Sequence, residues 1–337
     1  MTVPVPAFAA TTSLLGDLLD DELRALGDEL PARVWERVLL GPARDVLSRP
    51  GKQLRARLVE LAWRLGGGGA GGPPAALTAA IEILHAGSLV IDDIEDGAEL
   101  RRGDLALHRS HGVPVALNTG NWMYFFAFGL IDRAPLPEAL RIELHRAMLR
   151  GVLDCHRGQA LDLGHDVTLL ARHELRAVVA CTTARKAGAL TRLAAELGAM
   201  AATADPVRRA MIGAFGATLG VGLQMRDDLG AVTASWRSDK LREDLWQLRP
   251  TWAWVWTAEA ADDASWMRGV RWAQQVAKHR EDPEPLARFL GGFAQRRGTD
   301  EARAQLADAR ATIEPIASAR TLAEVDAELA RLEASYG

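Results

Sequence analysis

The sequence holds only two cysteines, Cys155 and Cys181, in 337 residues. So sparse a set excludes a disulfide framework and a cysteine-rich zinc site, and it fits a reducing cytoplasm. A basic excess is missing as well. With a formal net charge of -4 the chain lacks the cationic surplus that phosphate backbones demand, so no nucleic-acid partner is expected. No apolar stretch reaches the ~20 uninterrupted residues of a membrane span. Residues 1–10 lack the basic-then-apolar order of a signal peptide. Alternating strand patterns, a long linker and a repeat of fixed period are also missing.

What is present favours helix. Alanine, leucine, arginine and glutamate dominate, and these are strong helix formers. Leu14, Leu15, Leu18, Leu19 and Leu23 recur at three and four residues, as one helix face does. Leu54, Leu58, Leu61 and Leu65 repeat the pattern, and so do Met211, Phe215, Leu219 and Leu223. Residues 66–74, GGGGAGGPP, form a connection, and Pro135 with Pro137 forms another. Asp205-Pro206 reads as an N-cap followed by proline at the first helical position. Pro283, Pro285 and Gly298-Thr299-Asp300 read as breaks, and Thr321 with Glu324 reads as a capping box. The expectation is a single all-α domain over residues 1–337, of about ten or more helices. Ten tryptophans are read as core packing.

The informative stretch is residues 81–108, IEILHAGSLVIDDIEDGAELRRGDLALH. An apolar helix runs into Asp92, Asp93, Glu95 and Asp96, and Gly97 follows. Asp92 and Asp96 are four apart and share a face. They repel each other near a helix C-terminus, where the dipole favours cations. A hard divalent cation such as magnesium, bound partly through phosphate oxygens, compensates such a pair. A solvated acidic helix end is the plainer alternative. The pattern recurs, however: residues 215–230, FGATLGVGLQMRDDLG, run into Asp227 and Asp228, with Gln224 a turn earlier. Two such ends in one helical chain point to facing helices that hold metal between them. Glu82 and His85 have the spacing of a di-iron site, but the second pair that such a site needs is missing.

Cations sit in matching places. Gly51-Lys52-Gln53-Leu54-Arg55 puts Lys52 and Arg55 on one face at a helix start, which suits an anion. Lys186 precedes Ala187-Gly188, Lys240 lies beyond the second acidic pair with Asp244 four residues later, and Arg249 precedes Pro250-Thr251. Singly each reads as a surface charge; together with the acids they compose a magnesium-bound diphosphate site.

Residues 51–251 resemble the trans-isoprenyl diphosphate synthases, or polyprenyl synthetases, with the motifs in family order. Asp92-Asp93-Ile94-Glu95-Asp96 is similar to the first aspartate-rich motif, DDxxD, and Gln224 with Asp227 and Asp228 to the second. Arg101-Arg102-Gly103 matches the RRG that follows the first motif, and Gly51, Lys52 and Arg55 match GKxxR. Gly158, Gln159 and Asp162 match GQxxD, and Lys186 and Lys240 match the two family lysines. The resemblance implies a helical bundle around a central cavity, commonly a homodimer. It implies that Asp92, Asp96, Asp227 and Asp228 hold magnesium, three ions bound with diphosphate, with Asp93 in support. Lys52, Arg55, His85 and Arg102 would grip isopentenyl diphosphate. Arg101, Lys186 and Lys240 would face the allylic diphosphate, Gln224 the allylic cation, and Arg249 would bind substrate with the charge of a frequent family lysine. Ala231, where many members carry a third aspartate, Ala187, Gln53 and Arg249 depart from the pattern.

The implied reaction is prenyl transfer: an allylic diphosphate ionises, and isopentenyl diphosphate attacks the cation. A terpene cyclase of the same fold would not need the set around Lys52, and a non-catalytic partner subunit would not need the complete first motif. Product length would be set one turn before that motif, where Gly87 and Ser88 are small. With Leu84 and Ile81 further down the same face, the expected product is geranylgeranyl diphosphate. If Trp122 or Phe125 reaches across, farnesyl diphosphate is expected instead.

Overall fold

The computed structural model describes residues 8–27, 30–233 and 243–334. The chain opens with α1 (Phe8–Leu26) and α2 (Ala32–Trp35), which passes through a π-turn (Glu36–Leu40) into α3 (Gly41–Ser48). Then come α4 (Leu54–Leu65), α5 (Ala75–Asp96), a hairpin of β1 (Leu100–Arg101) and β2 (Asp104–Leu105), α6 (Leu107–His111), α7 (Val113–Asp132) and α8 (Glu138–Gly164). Next are α9 (Leu175–Thr183), a second π-turn (Ala184–Gly188), α10 (Ala189–Ala201) and α11 (Pro206–Thr233). The described chain ends with α12 (Trp252–Ala260), α13 (Asp263–His279), α14 (Glu284–Ile313) and α15 (Ala319–Ala334).

The leucine rows at three and four residues become buried seams. Leu58, Leu61 and Leu65 of α4, Ile81 and Leu84 of α5, and Phe215 and Leu219 of α11 meet in one apolar core. A second core gathers Trp252, Trp254, Trp256 and Trp266 with Leu286 and Leu290 of α14. The expected tryptophan packing is therefore found, concentrated in that second core. Helix α11 feeds both cores, the first from Phe215 and Leu219, the second from Leu229 and Val232.

Small residues set how close the helices come. A Cβ on Gly198 of α10 would lie 2.2 Å from the Val59 carbonyl oxygen of α4. Gly87 of α5 faces Gly120 of α7 in the same way, since its Cβ would stand 2.9 Å from the Gly120 oxygen. These contacts let α4, α5, α7 and α10 wall a cavity without spreading the bundle.

Several local expectations change. The two-residue strands of the hairpin, paired Leu100 with Leu105 and Arg101 with Asp104, were too short to register as an alternation. Gly298-Thr299-Asp300 does not break the chain but lies inside α14. Gly298 is there for space, because its Cβ would meet the Trp256 ring at 2.8 Å. The cap of α15 is Ser318, whose Oγ accepts the Thr321 N–H at 3.1 Å, while Glu324 pairs with Arg64 at 2.6 Å. Asp205 caps α11 as expected, accepting from the N–H groups of Val207 and Arg208. One described helix, α5, is long and apolar enough to cross a membrane by length and composition, although Glu82 interrupts its apolar run. Half of that stretch is buried in the bundle, and its last turn carries acids.

If the α4–α10 crossing is this close, Gly198→Ala forces the backbones apart. Overpacking of this kind costs about 1–3 kcal/mol, so calorimetry should give a lower Tm than the parent chain. An unchanged Tm would mean that the crossing has slack.

Candidate active site

Most of the predicted residues line one cavity of about 920 Å³. Asp92 and Asp96 reach it from the last turn of α5, which Gly97 ends in the left-handed conformation at φ 63°. Asp92, Asp93 and Asp96 are each matched to a cation. Lys186 Nζ donates to Asp92 Oδ1 at 2.9 Å and to Asp162 Oδ2 at 2.7 Å. Gln159 Nε2 bridges Asp92 Oδ1 and Glu95 Oε2. Arg249 Nη2 donates to Asp96 Oδ1 at 3.0 Å, and Arg101 Nε to Asp93 Oδ1 at 2.7 Å.

The pKa shifts follow from burial against these partners. Burial alone would raise Asp92, yet Lys186, Arg101 and Gln159 outweigh it and hold the carboxyl low. Burial keeps Asp96 above its ordinary value, and the neighbouring Asp92 charge adds to it. Burial lowers Lys186, but Asp92 and Asp162 more than reverse this and hold the ammonium firmly charged.

Lys186 reaches this place from the π-turn between α9 and α10, and such bulges are frequent at functional sites. Gly158 explains how α8 fits against that turn: its Cβ would lie 2.6 Å from the Lys186 amide nitrogen. Gln159 and Asp162 then face the same cavity from α8.

Asp227 and Asp228 of the second acidic pair both line the cavity. Asp228 is buried; its Oδ1 accepts from Gln224 Nε2 at 2.7 Å and its Oδ2 from the Trp252 N–H at 2.9 Å. Asp228 thus serves an orphan N–H at the start of α12, and the Gln224 amide is turned to Asp228. Helix α11 does not end at Gly230 but runs to Thr233. Ala231 lies in the tryptophan core, away from the cavity. An aspartate there would be buried among apolar side chains, which is a physical reason for alanine. Lys240 falls outside the described residues.

Lys52, Arg55, His85 and Arg102 line the same cavity. Lys52 precedes α4 rather than sharing its face, and Gln53 makes the turn into the helix with φ 46°. Burial, with Arg55 and Arg102 nearby, keeps the His85 ring neutral, and its Nδ1 is buried without a hydrogen-bond partner. Glu82 does not act with His85 as a di-iron pair. Its Oε1 accepts the Ala56 N–H at 2.8 Å and so caps α4. Gly51 leaves room for Arg102, since its Cβ would stand 2.7 Å from Arg102 Nη1.

Of the residues expected to set product length, Leu84 and Ser88 line the cavity, whereas Ile81, Gly87, Trp122 and Phe125 do not. Gly87 is spent on the α5–α7 contact. Trp122 stacks on Phe126 with centroids 4.6 Å apart, and Phe125 is 77% exposed on the outer face. The aromatic that does enter is Tyr124, tilted against His156 of α8 at 5.7 Å. Helical spacing could have singled it out, since it lies on a different face from Phe125. Gln247, whose Nε2 donates to the Asp96 carbonyl at 2.6 Å, and Arg49 were also missed; neither belongs to a motif.

The donor set suits a hard dication. Among the described residues no three histidines, cysteines or acids form a ready metal cage. Asp92, Asp96 and Asp227 instead line one space large enough for a ligand whose phosphate oxygens would complete the coordination.

A sequence profile of the polyprenyl synthetase family matches residues 36–284. A geranylgeranyl pyrophosphate synthase of Eremothecium gossypii is 32% identical over 223 residues, or 64% of this chain and 67% of the relative. Geranylgeranyl pyrophosphate synthase 2 of Zymoseptoria tritici is 30% identical over 260 residues, or 74% of this chain and 71% of the relative. The crystal structure of a geranylgeranyl pyrophosphate synthetase from Pyrococcus horikoshii superposes with a TM-score of 0.75 at 22% identity, covering 96% of this chain and 98% of that one. At that identity the superposition speaks for the all-α fold. Profile, relatives and motifs together identify the chain as a member of the polyprenyl synthetase family.

Proposed function

We propose that this chain is a magnesium-dependent trans-isoprenyl diphosphate synthase, a single catalytic domain over residues 1–337. It condenses isopentenyl diphosphate with an allylic diphosphate to give geranylgeranyl diphosphate. The observation that supports this reading is that one cavity is lined both by carboxylates of α5 and α11 and by Lys52, Arg55 and Arg102. A terpene cyclase, which ionises one diphosphate, has no use for that second cationic set.

Asp92, Asp96 and Asp227 would hold magnesium, three ions with diphosphate, and the metal supplies Lewis-acid stabilisation of the leaving oxygen. Lys186, with its charge held by two carboxylates, adds a fixed cation beside the same leaving group. Lys52, Arg55 and Arg102 bind isopentenyl diphosphate and direct its double bond at the allylic carbon. The allylic C–O bond breaks, a C–C bond forms, and the proton lost from the new chain goes to the released diphosphate. Leu84, Val152 and Leu190 line the cavity with apolar surface for the growing chain, where unpaired polar groups would be costly. Small Ser88 leaves room beyond fifteen carbons, and Tyr124 narrows the space from α7.

A homodimer is part of this reading. Leu117 and Phe125 of α7 and Leu149 and Leu153 of α8 are exposed on adjacent helices, an apolar face that a second copy would cover. The free Cys155 and Cys181 agree with a reducing cytoplasm.

Incubation with magnesium, isopentenyl diphosphate and allylic diphosphates, read by mass spectrometry, tests the function. The expected product has twenty carbons; a hydrocarbon with no incorporated isopentenyl unit would indicate a cyclase. Excess chelator should abolish turnover, and Asp92→Ala should lower it about 10²–10³-fold, as loss of a transition-state electrostatic group does. Full activity in chelator would refute the metal role.

Two further outcomes follow from the cavity and the outer face. Ser88→Phe should shorten the main product by one isoprene unit and Tyr124→Ala should lengthen it, both read by chromatography of the dephosphorylated alcohols. Unchanged products from both would put the floor elsewhere. Phe125→Asp should shift the protein from dimer to monomer in light scattering, and a parent chain that is already monomeric would refute the dimer.

A further inference from the structure

Resting on the reading above, we propose that Arg49, paired with Asp45, is a positioning residue for the isopentenyl diphosphate site. The observation is a reciprocal pair of hydrogen bonds between Arg49 and the hairpin that carries Arg101 and Arg102. Arg49 is buried, 7% exposed, at the end of α3. Its Nη2 and Nε donate to the Asp45 carboxylate at 3.0 and 3.3 Å. Its Nη1 crosses to the backbone carbonyl of Arg101 at 3.3 Å. In return Arg102 Nη1 donates to the backbone carbonyl of Arg49 at 3.2 Å.

The hairpin needs such a support. Arg102 and Gly103 are its two turn residues, with φ of 58° and 88°. This is the twisted two-residue turn in which both positions are left-handed. Glycine adopts that conformation freely, whereas arginine is strained in it. A strained arginine persists only where its surroundings over-determine it. Its turn is held at both ends. Arg101 anchors to Asp93 of α5, and Arg49 anchors the backbone to α3.

The consequence reaches the ligand site. Gly51 and Lys52 follow Arg49 closely in the chain, and Gly51 lies against the Arg102 guanidinium. The bonds from Arg49 therefore set the spacing between Lys52 on one strand of chain and Arg102 on another. Those two cations line the same cavity. Arg49 itself does not line the cavity, so its influence passes through that spacing. Arg101 keeps its own anchor on Asp93, so the allylic side is insulated.

The test compares Arg49→Met, Arg49→Lys and Asp45→Asn with the parent chain. Calorimetric binding of isopentenyl diphosphate is measured beside steady-state kinetics and Tm. Arg49→Met should weaken isopentenyl diphosphate binding and raise its KM about tenfold, the worth of a charge-assisted contact. The KM for the allylic substrate should stay within about twofold. Arg49→Lys, which keeps the Asp45 pair but lacks the fork to Arg101, should fall between. Asp45→Asn should do the same, and these two variants carry the test if Arg49→Met does not fold. Equal rises in both KM values, or unchanged binding in folded variants, would overturn the proposal alone. A parent chain that binds no isopentenyl diphosphate would overturn the proposal together with the functional reading beneath it.

Discussion

The structure depends on one constraint: carboxylates and cations are gathered in a shared cavity, where neither is tolerable without the other. Asp92 and Asp96 stand at a helix C-terminus that disfavours negative charge, and burial disfavours it further. Lys186 and Arg249 answer them at hydrogen-bond distance. Each cation arrives from a different stretch of chain, so the charge pairing also ties α5, α8, α10 and the segment before α12 into one wall.

That pairing has a mechanistic side. On the proposed reading, a carboxylate already matched to a lysine is kept ionised for a harder cation, and the lysine stands near the place where negative charge would build. Lys186 touches both Asp92 and Asp162, so it can give up one partner without losing its charge. The fold supports this with close helix contacts. Gly158 admits α8 to the Lys186 turn, and Gly87 admits α7 to α5. Buried charge is expensive, and such tight packing preserves the geometry that compensates it.

Much of this was legible in the residues. Helical periodicity marked the seams of the first core, and the two acidic runs marked carboxylates that line the cavity. Short-range patterns misled where a residue's role is set by distant contacts. Gly298 looked like a break but makes room for Trp256. Glu82, already set aside as half of a metal pair for want of a second pair, caps α4. Phe125 and Tyr124 are neighbours in sequence, yet one faces outward and the other the cavity. A composition or spacing rule sees residue type and period; it does not see which neighbour will lack a partner. Arg49 escaped for the same reason, because its value lies in hydrogen bonds to and from backbone carbonyls that the fold brings together.

The central claim is that the cavity holds two diphosphates by different means, one through metal and one through arginine and lysine directly. Isothermal titration of the parent chain with isopentenyl diphosphate and, separately, with a non-hydrolysable allylic diphosphate analogue tests this most directly, in magnesium and in chelator. The account predicts that isopentenyl diphosphate binds in both buffers at one per chain, and that the allylic analogue binds only with magnesium. Magnesium dependence of both ligands, or of neither, would contradict it.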